Sequence, residues 1–203
     1  MSDDQTEILR HLWDRRSLII YRCRLSSLYH QKRERFFDIL DKTSAALITV
    51  AATSAVGAIL KGNASWELGI AASTAVLSMI PLVVSPALKA RHHAILAAEF
   101  RRLLAECEHE GERWDELLCS KMAGRTVEIE AAERAPLAGV VADCQNQLAI
   151  SRGEKPVAIL RWYHQLLKHW VDMRPDPARH DQTGPNAIDR GTLESTSARA
   201  QSV

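Results

Sequence analysis

Two stretches without a charged residue, separated by seven residues, constrain this chain more than any other feature of its sequence. Thr43 to Leu60 reads TSAALITVAATSAVGAIL, 18 residues, and Leu68 to Leu88 reads LGIAASTAVLSMIPLVVSPAL, 21 residues. As α-helices they would rise roughly 27 Å and 31 Å, against a bilayer hydrocarbon core of about 30 Å. Helices in the core of soluble proteins rarely run so far uncharged on every face. The expectation is therefore an all-α chain with two transmembrane helices over 43–88. A buried hairpin in a soluble bundle is the alternative. The first stretch is rich in Ala, Ser and Thr, so it is expected to insert together with the second.

The connection KGNASWE is short enough to force an antiparallel hairpin, with turn chemistry at Gly62 and Asn63 and a helix cap from Asn63 or Ser65. Lys42 and Lys61 bracket the first stretch, and Trp66 opens the second at headgroup level. Basic residues cluster before the first stretch, at Arg22, Arg24, Lys32, Arg33, Arg35 and Lys42. Others follow the second, at Lys89, Arg91, Arg101 and Arg102, whereas the connection holds only Lys61. By the positive-inside rule both termini are expected in the cytoplasm. The polar start, MSDDQTEILRHLWDRR, has no apolar core and is not expected to act as a signal peptide.

The flanks read as helices. Leu18, Tyr21, Leu25 and Leu28 repeat at helical spacing, followed by Phe36 and Leu40. One helix is expected from about Ser17 straight into the first stretch, its cytoplasmic part to residue 42 rising about 39 Å. Lys32 falls on that apolar stripe and makes the seam imperfect. Leu96, Phe100, Leu103, Leu104, Cys107, Trp114 and Leu118 mark a returning helix, so the hairpin is expected to continue as a coiled-coil-like stalk. Gly111 and Gly124 weaken or end that helix. Pro136 starts a further helix closed by Gly153, and Pro156 fits the first turn of a last one. That last helix either packs on the stalk or rests on the membrane surface, with packing favoured because its polar face is not strongly basic. The chain thus divides into an N-terminal helix 1–42, the hairpin 43–88, a helical region 89–173, and a Pro-rich tail 174–203 expected to be disordered.

Little here suggests catalysis. Lys plus Arg is 26 against 25 Asp plus Glu, a net charge of +1, which excludes a global electrostatic case for nucleic acid. Cys23, Cys107, Cys119 and Cys144 form no CxxC pair and read as reduced thiols. His92 and His93 are adjacent and point about 100° apart on a helix, so they cannot chelate together. His164 and His169 are a poor helical pair, and Glu128, Glu130 and Glu133 read as a solvated face. With no phosphate-cradling or nucleophile motif, neither an enzyme nor a cofactor is expected.

The uncharged stretches carry the candidate functional residues. Ala51 with Ala55, Ser54 with Ala58, Gly69 with Ser73 and Ala71 with Ala75 stand at small-xxx-small spacing. Ala51, Ala55, Gly57, Gly69 and Ser73 are the helix-packing candidates, within the hairpin or between subunits of a homo-oligomer. Thr49, Thr53, Thr74, Ser78 and Ser85 form a mild polar stripe. Their hydroxyls either line a wet lumen or bond back to their own helix carbonyls, the commoner arrangement. Pro81 should kink the second stretch, as a gate hinge or as a feature of shape.

This layout resembles the SLATT group of bacterial two-transmembrane effector domains. The resemblance rests on RCRLSSLYHQKRERF (Arg22 to Phe36) entering the first stretch, the short connection, and HHAILAAEFRRLL (His92 to Leu104) after the second. The segment APLAGVVADCQNQLAISRG (Ala135 to Gly153) is similar to a Pro-to-Cys-x-Asn pattern of related two-span bacterial proteins. The similarity covers roughly 17–170. It implies a homo-oligomer in the bacterial inner membrane, in contact with the lipid bilayer, that breaches it as part of an anti-phage conflict system. It also implies a trigger from a sensor or nucleotide-second-messenger partner protein, since this chain carries no nucleotide-binding motif of its own. A membrane-anchored interaction module without pore activity is the alternative.

Overall fold

A computed structural model describes residues 3–60, 64–133 and 135–178. The side chains of residues 3 and 4, of 55–68, and of residues 70, 71, 77, 80 and 82 lie outside that description. So do the turn residues Gly62 and Asn63, the anchoring roles of Lys61 and Trp66, and residues 179–203 of the Pro-rich tail.

The described chain is mostly helical. Helix α1 runs from Asp3 to Leu60 without interruption, 58 residues. It starts well before the expected Ser17, and it contains no Pro and a Gly only at position 57. Helix α2 spans Ala64–Val84 and packs back along the end of α1. Helix α3 spans Pro86–His109 and returns antiparallel to α1. The pairing is marked by Lys89 on Phe37, His93 on His30, and Arg24 donating to Glu108 at 3.0 Å. Helices α4 (Glu116–Ala131) and α5 (Ala138–Ser151) then fold against the α1–α3 pair. Among the described residues, no helix is long and apolar enough to cross a membrane.

Four boundaries differ from expectation. The second uncharged stretch is not one helix to Leu88: it breaks at Ser85, which adopts left-handed φ 46° and ψ 55°. Pro86 explains this, because a proline ring clashes with a right-handed helical residue before it. The returning stripe is split: Gly111, at φ 74°, follows the Glu110 cap of α3, and Leu118 falls on a separate helix, α4, which Gly124 does not end. Thirdly, Pro156 does not open a long helix. Ala158–Ile159 instead form β1, paired antiparallel with β2, Asp176–Pro177, and helix α6 covers only Trp162–Leu167. The cause lies on α5: the Asn146 side chain takes both backbone groups of Ala158, donating to its carbonyl at 2.7 Å and accepting from its N–H at 2.9 Å. Residues 176–177, placed by sequence in the tail, therefore belong to the fold.

The core uses the expected face of α3 but not the expected one of α1: Leu18 is 58 % exposed, and Ile19 and Cys23 point inward instead. Ile19 and Cys23 of α1, Phe100, Leu103 and Cys107 of α3, Trp114, and Cys119 and Met122 of α4 pack as one cluster. A second cluster joins Tyr29 to Val140 and Cys144 of α5. All four cysteines are buried and unbridged. Burial pushes Cys107 and Cys144 up to about 11, which makes them poor nucleophiles at neutral pH. The imperfect seam at Lys32 is resolved by Asp143, which accepts from Lys32 at 2.6 Å and from Lys168 at 2.8 Å. Burial alone would raise the Asp143 carboxyl, but the two lysines hold it below the usual carboxylate range.

Candidate functional site

The hydroxyls of the hairpin mostly bond within their own helices. Thr49 donates to the Ala45 carbonyl at 2.9 Å, Thr53 to Thr49 at 2.9 Å, Ser54 to Val50 at 2.8 Å and Ser78 to Thr74 at 2.7 Å. Ser73 donates to the Gly69 carbonyl. Back-bonding of this kind removes the cost of carrying a hydroxyl into an apolar medium. Thr74 and Ser85 are also engaged by polar or ring contacts. Pro81 lies inside α2, and the interruption falls four residues later, at Ser85. Of the packing candidates, Ala51 is half-buried and Gly69 and Ser73 are exposed, while the side chain of Ala55 and position 57 lie outside the described set.

The same segment displays large apolar side chains. Leu47 and Val50 on α1 and Val76, Met79 and Val83 on α2 are each more than half exposed, Val83 at 80 %. Leu88, at the start of α3, is 68 % exposed. Below it the picture inverts. There the helices meet over a polar cluster that periodicity does not reveal.

His30 of α1 is 1 % exposed, and its two ring nitrogens face different elements. Nε2 pairs with the carboxylate of Glu133, just beyond α4, and Nδ1 lies 2.8 Å from Nδ1 of His93 on α3. A carboxylate can only accept, so His30 Nε2 carries the proton. The two Nδ1 atoms share a single hydrogen bond, one ring donating and the other accepting. Ring stacking fixes both imidazoles: His30 on Phe100 at 5.8 Å, and His93 on Phe37 at 5.7 Å. Tyr29 meets His30 edge-on at 5.2 Å, and its hydroxyl accepts from the Leu137 N–H at 3.2 Å. One relay thus ties α1, α3 and the α4–α5 connection together.

Electrostatics around this relay are lopsided. Burial lowers His93 to about 3, with further lowering from His30, Arg33 and His92 nearby. His169, stacked on Phe36 at 4.4 Å, is lowered to about 4 by burial, by Arg33 and by Lys168. Both histidines are neutral in the fold and would charge near 6.5 when released. The unfolded chain then binds more protons, so stability is full above pH 6.5 and falls as pH drops from there toward 4. Asp143 adds to the loss at the acid end. Thermal melts between pH 7.5 and 4.5 are expected to show a steadily falling midpoint. A flat profile would mean that these rings are solvated.

His92 is exposed, and His93 is half-buried and bonded to His30. Glu130 and Glu133 are not a solvated face: they pair with Arg22 and His30. His30 stands alone in the sequence, and no spacing there points to its partners. Among the described residues, no group of His, Cys, Asp and Glu could hold a metal ion.

No family model, curated protein or solved structure matches this chain.

Proposed function

We propose that residues 43–88 enter a lipid bilayer as a helical hairpin, and that α1, α3, α4 and α5 form a bundle on its cytoplasmic face. In this reading the protein is a membrane effector of the bacterial inner membrane that acts as a homo-oligomer to open or disrupt the bilayer, answering a sensor partner. The observation that carries it is the pairing of two uncharged stretches with outward-facing Leu47, Val50, Val76, Met79 and Val83. Apolar faces of that size on a lone chain require a covering medium or partner. Exposed small residues at Gly69 and Ser73 supply a surface on which neighbouring hairpins could approach closely. The effector role, as opposed to insertion, is supported by the resemblance to SLATT domains.

A second reading, a membrane tether for the bundle without pore activity, is favoured by the back-bonded hydroxyls of Thr49, Thr53 and Ser78. Induced expression separates the two. Under the effector reading cells depolarise, and replacing Thr53 and Ser78 together by Leu suppresses the response by tenfold or more, on the order of 1.4 kcal/mol in the conducting state. Depolarisation that survives the double replacement would remove these residues from any lumen. A hairpin exchanged for an unrelated one without loss of function would establish the tether.

A further inference from the structure

A cavity of about 470 Å³ opens beside the histidine relay, between α1, the start of α3 and the α4–α5 connection. Its volume falls within the usual range for small-ligand sites. The walls are of two kinds. Leu88, Leu96 and Phe37 form an apolar side, and Arg33, Lys89 and His92 bring positive charge or donors. The Arg33 guanidinium and the Lys89 ammonium both lie against the Phe37 ring, 4.6 Å and 5.5 Å from its centroid. Arg33 spends Nη1 on the His169 carbonyl at 2.7 Å, but its Nε is buried and has no hydrogen-bond partner. Among the described lining residues Glu133 is the one carboxylate, and it is committed to His30. The site therefore holds more cationic donors than anions to receive them. An unbonded buried guanidinium nitrogen is costly unless a ligand satisfies it.

We propose that this cavity binds a phosphate-bearing ligand, with the anion on Arg33 and Lys89 and the apolar remainder against Leu88, Leu96 and Phe37. Arginine and lysine together are the usual answer to a phosphate, one as a fork of donors and the other as a point charge. The source of the ligand follows from position. Lys89 is the first residue after the second uncharged stretch. Phe37 lies six residues before Thr43, a rise of about 9 Å. If 43–88 is in the bilayer, the mouth lies close to headgroup level, and a phospholipid headgroup of net negative charge is the natural occupant. That choice of source rests on the membrane reading. The chemistry of the cavity does not.

The test uses the full chain in phosphatidylcholine nanodiscs, with and without phosphatidylglycerol. Inorganic phosphate and glycerol 3-phosphate are titrated separately into the neutral discs. The readout is the chemical shift of the His93 ring, which lines the cavity and should be perturbed by an anion bound there. A response to phosphatidylglycerol alone assigns a headgroup, and a response to the soluble phosphates assigns a free ligand. In either case Lys89→Gln and Arg33→Gln should each weaken binding by about tenfold. Lys42→Gln, which removes an exposed cation paired with Asp38 on the same helix, should not. Lys89 is exposed, so its variant is expected to keep the fold if Arg33→Gln does not. Should the chain remain in aqueous supernatant, the membrane reading fails. The soluble phosphates titrated in buffer then decide the cavity alone. An unmoved resonance with every probe, or equal weakening by all three variants, overturns the proposal.

Discussion

Replacing Phe100 by Ala is expected to destabilise the helical bundle by about 3–5 kcal/mol, the usual cost of truncating a fully buried aromatic. Phe100 has no exposed surface and sits in the main core cluster beside Leu103 and Cys107. It also forms the face on which the His30 ring stacks, with the planes 10° apart. Loss of the ring would leave a void next to a buried imidazole whose partners depend on its orientation. Water entering there would solvate His30 and His93 and weaken the bond between α1 and α3. Denaturant unfolding of the detergent-solubilised chain, followed by far-UV circular dichroism, gives the comparison. Leu117→Ala is the control, since Leu117 is 79 % exposed on α4 and should change stability by less than about 0.5 kcal/mol. Similar midpoints for the two variants would show that the seam between α1 and α3 is not where the bundle holds its stability.

The second large effect concerns the hairpin. Val50→Arg and Val76→Arg place a charge near the middle of each uncharged stretch. Both valines are well exposed, at 64 % and 67 %. In water, substitutions at such positions change stability by about 0.5 kcal/mol or less. At the centre of a bilayer each arginine costs about 2.5–3.5 kcal/mol on insertion scales. The double variant is therefore expected to leave the membrane fraction while keeping its helical spectrum from the bundle. Flotation on a density gradient measures this directly. Equal partitioning of variant and parent would mean that 43–88 does not lie in lipid.

The helices were largely legible in the sequence because their cause is local. Leu18, Tyr21, Leu25 and Leu28 repeat every three or four residues, and nothing from 1 to 56 interrupts them. The break at Ser85 was legible too, in the proline that follows it, but Pro81 drew the attention instead. A proline within a helix loses one hydrogen bond, whereas a residue before proline loses its backbone well. The last helix failed for a different reason. Its geometry is set by Asn146, twelve residues away from Ala158, and side-chain to backbone locks of that kind leave no periodic trace. The histidine relay was illegible for the same reason at longer range. His30 and His93 are 63 residues apart, and only the register of α1 against α3 brings them together. Lys32 gave a clue in advance: a cation on an apolar stripe asks for a buried partner, and Asp143 supplies it.

The two arms that join the bundle to the hairpin differ in stiffness. Helix α1 continues unbroken for 58 residues, a rod of about 87 Å. The other arm is articulated at Ser85, where two helical segments meet through a single left-handed residue. A rod amplifies rotation: tilting it by about 5° about its N-terminal tip carries the far end through roughly 8 Å. The jointed arm can follow such a sweep by bending at one place. A small displacement of the bundle would then be delivered to the hairpin as a lever stroke, with Ser85 as its pivot.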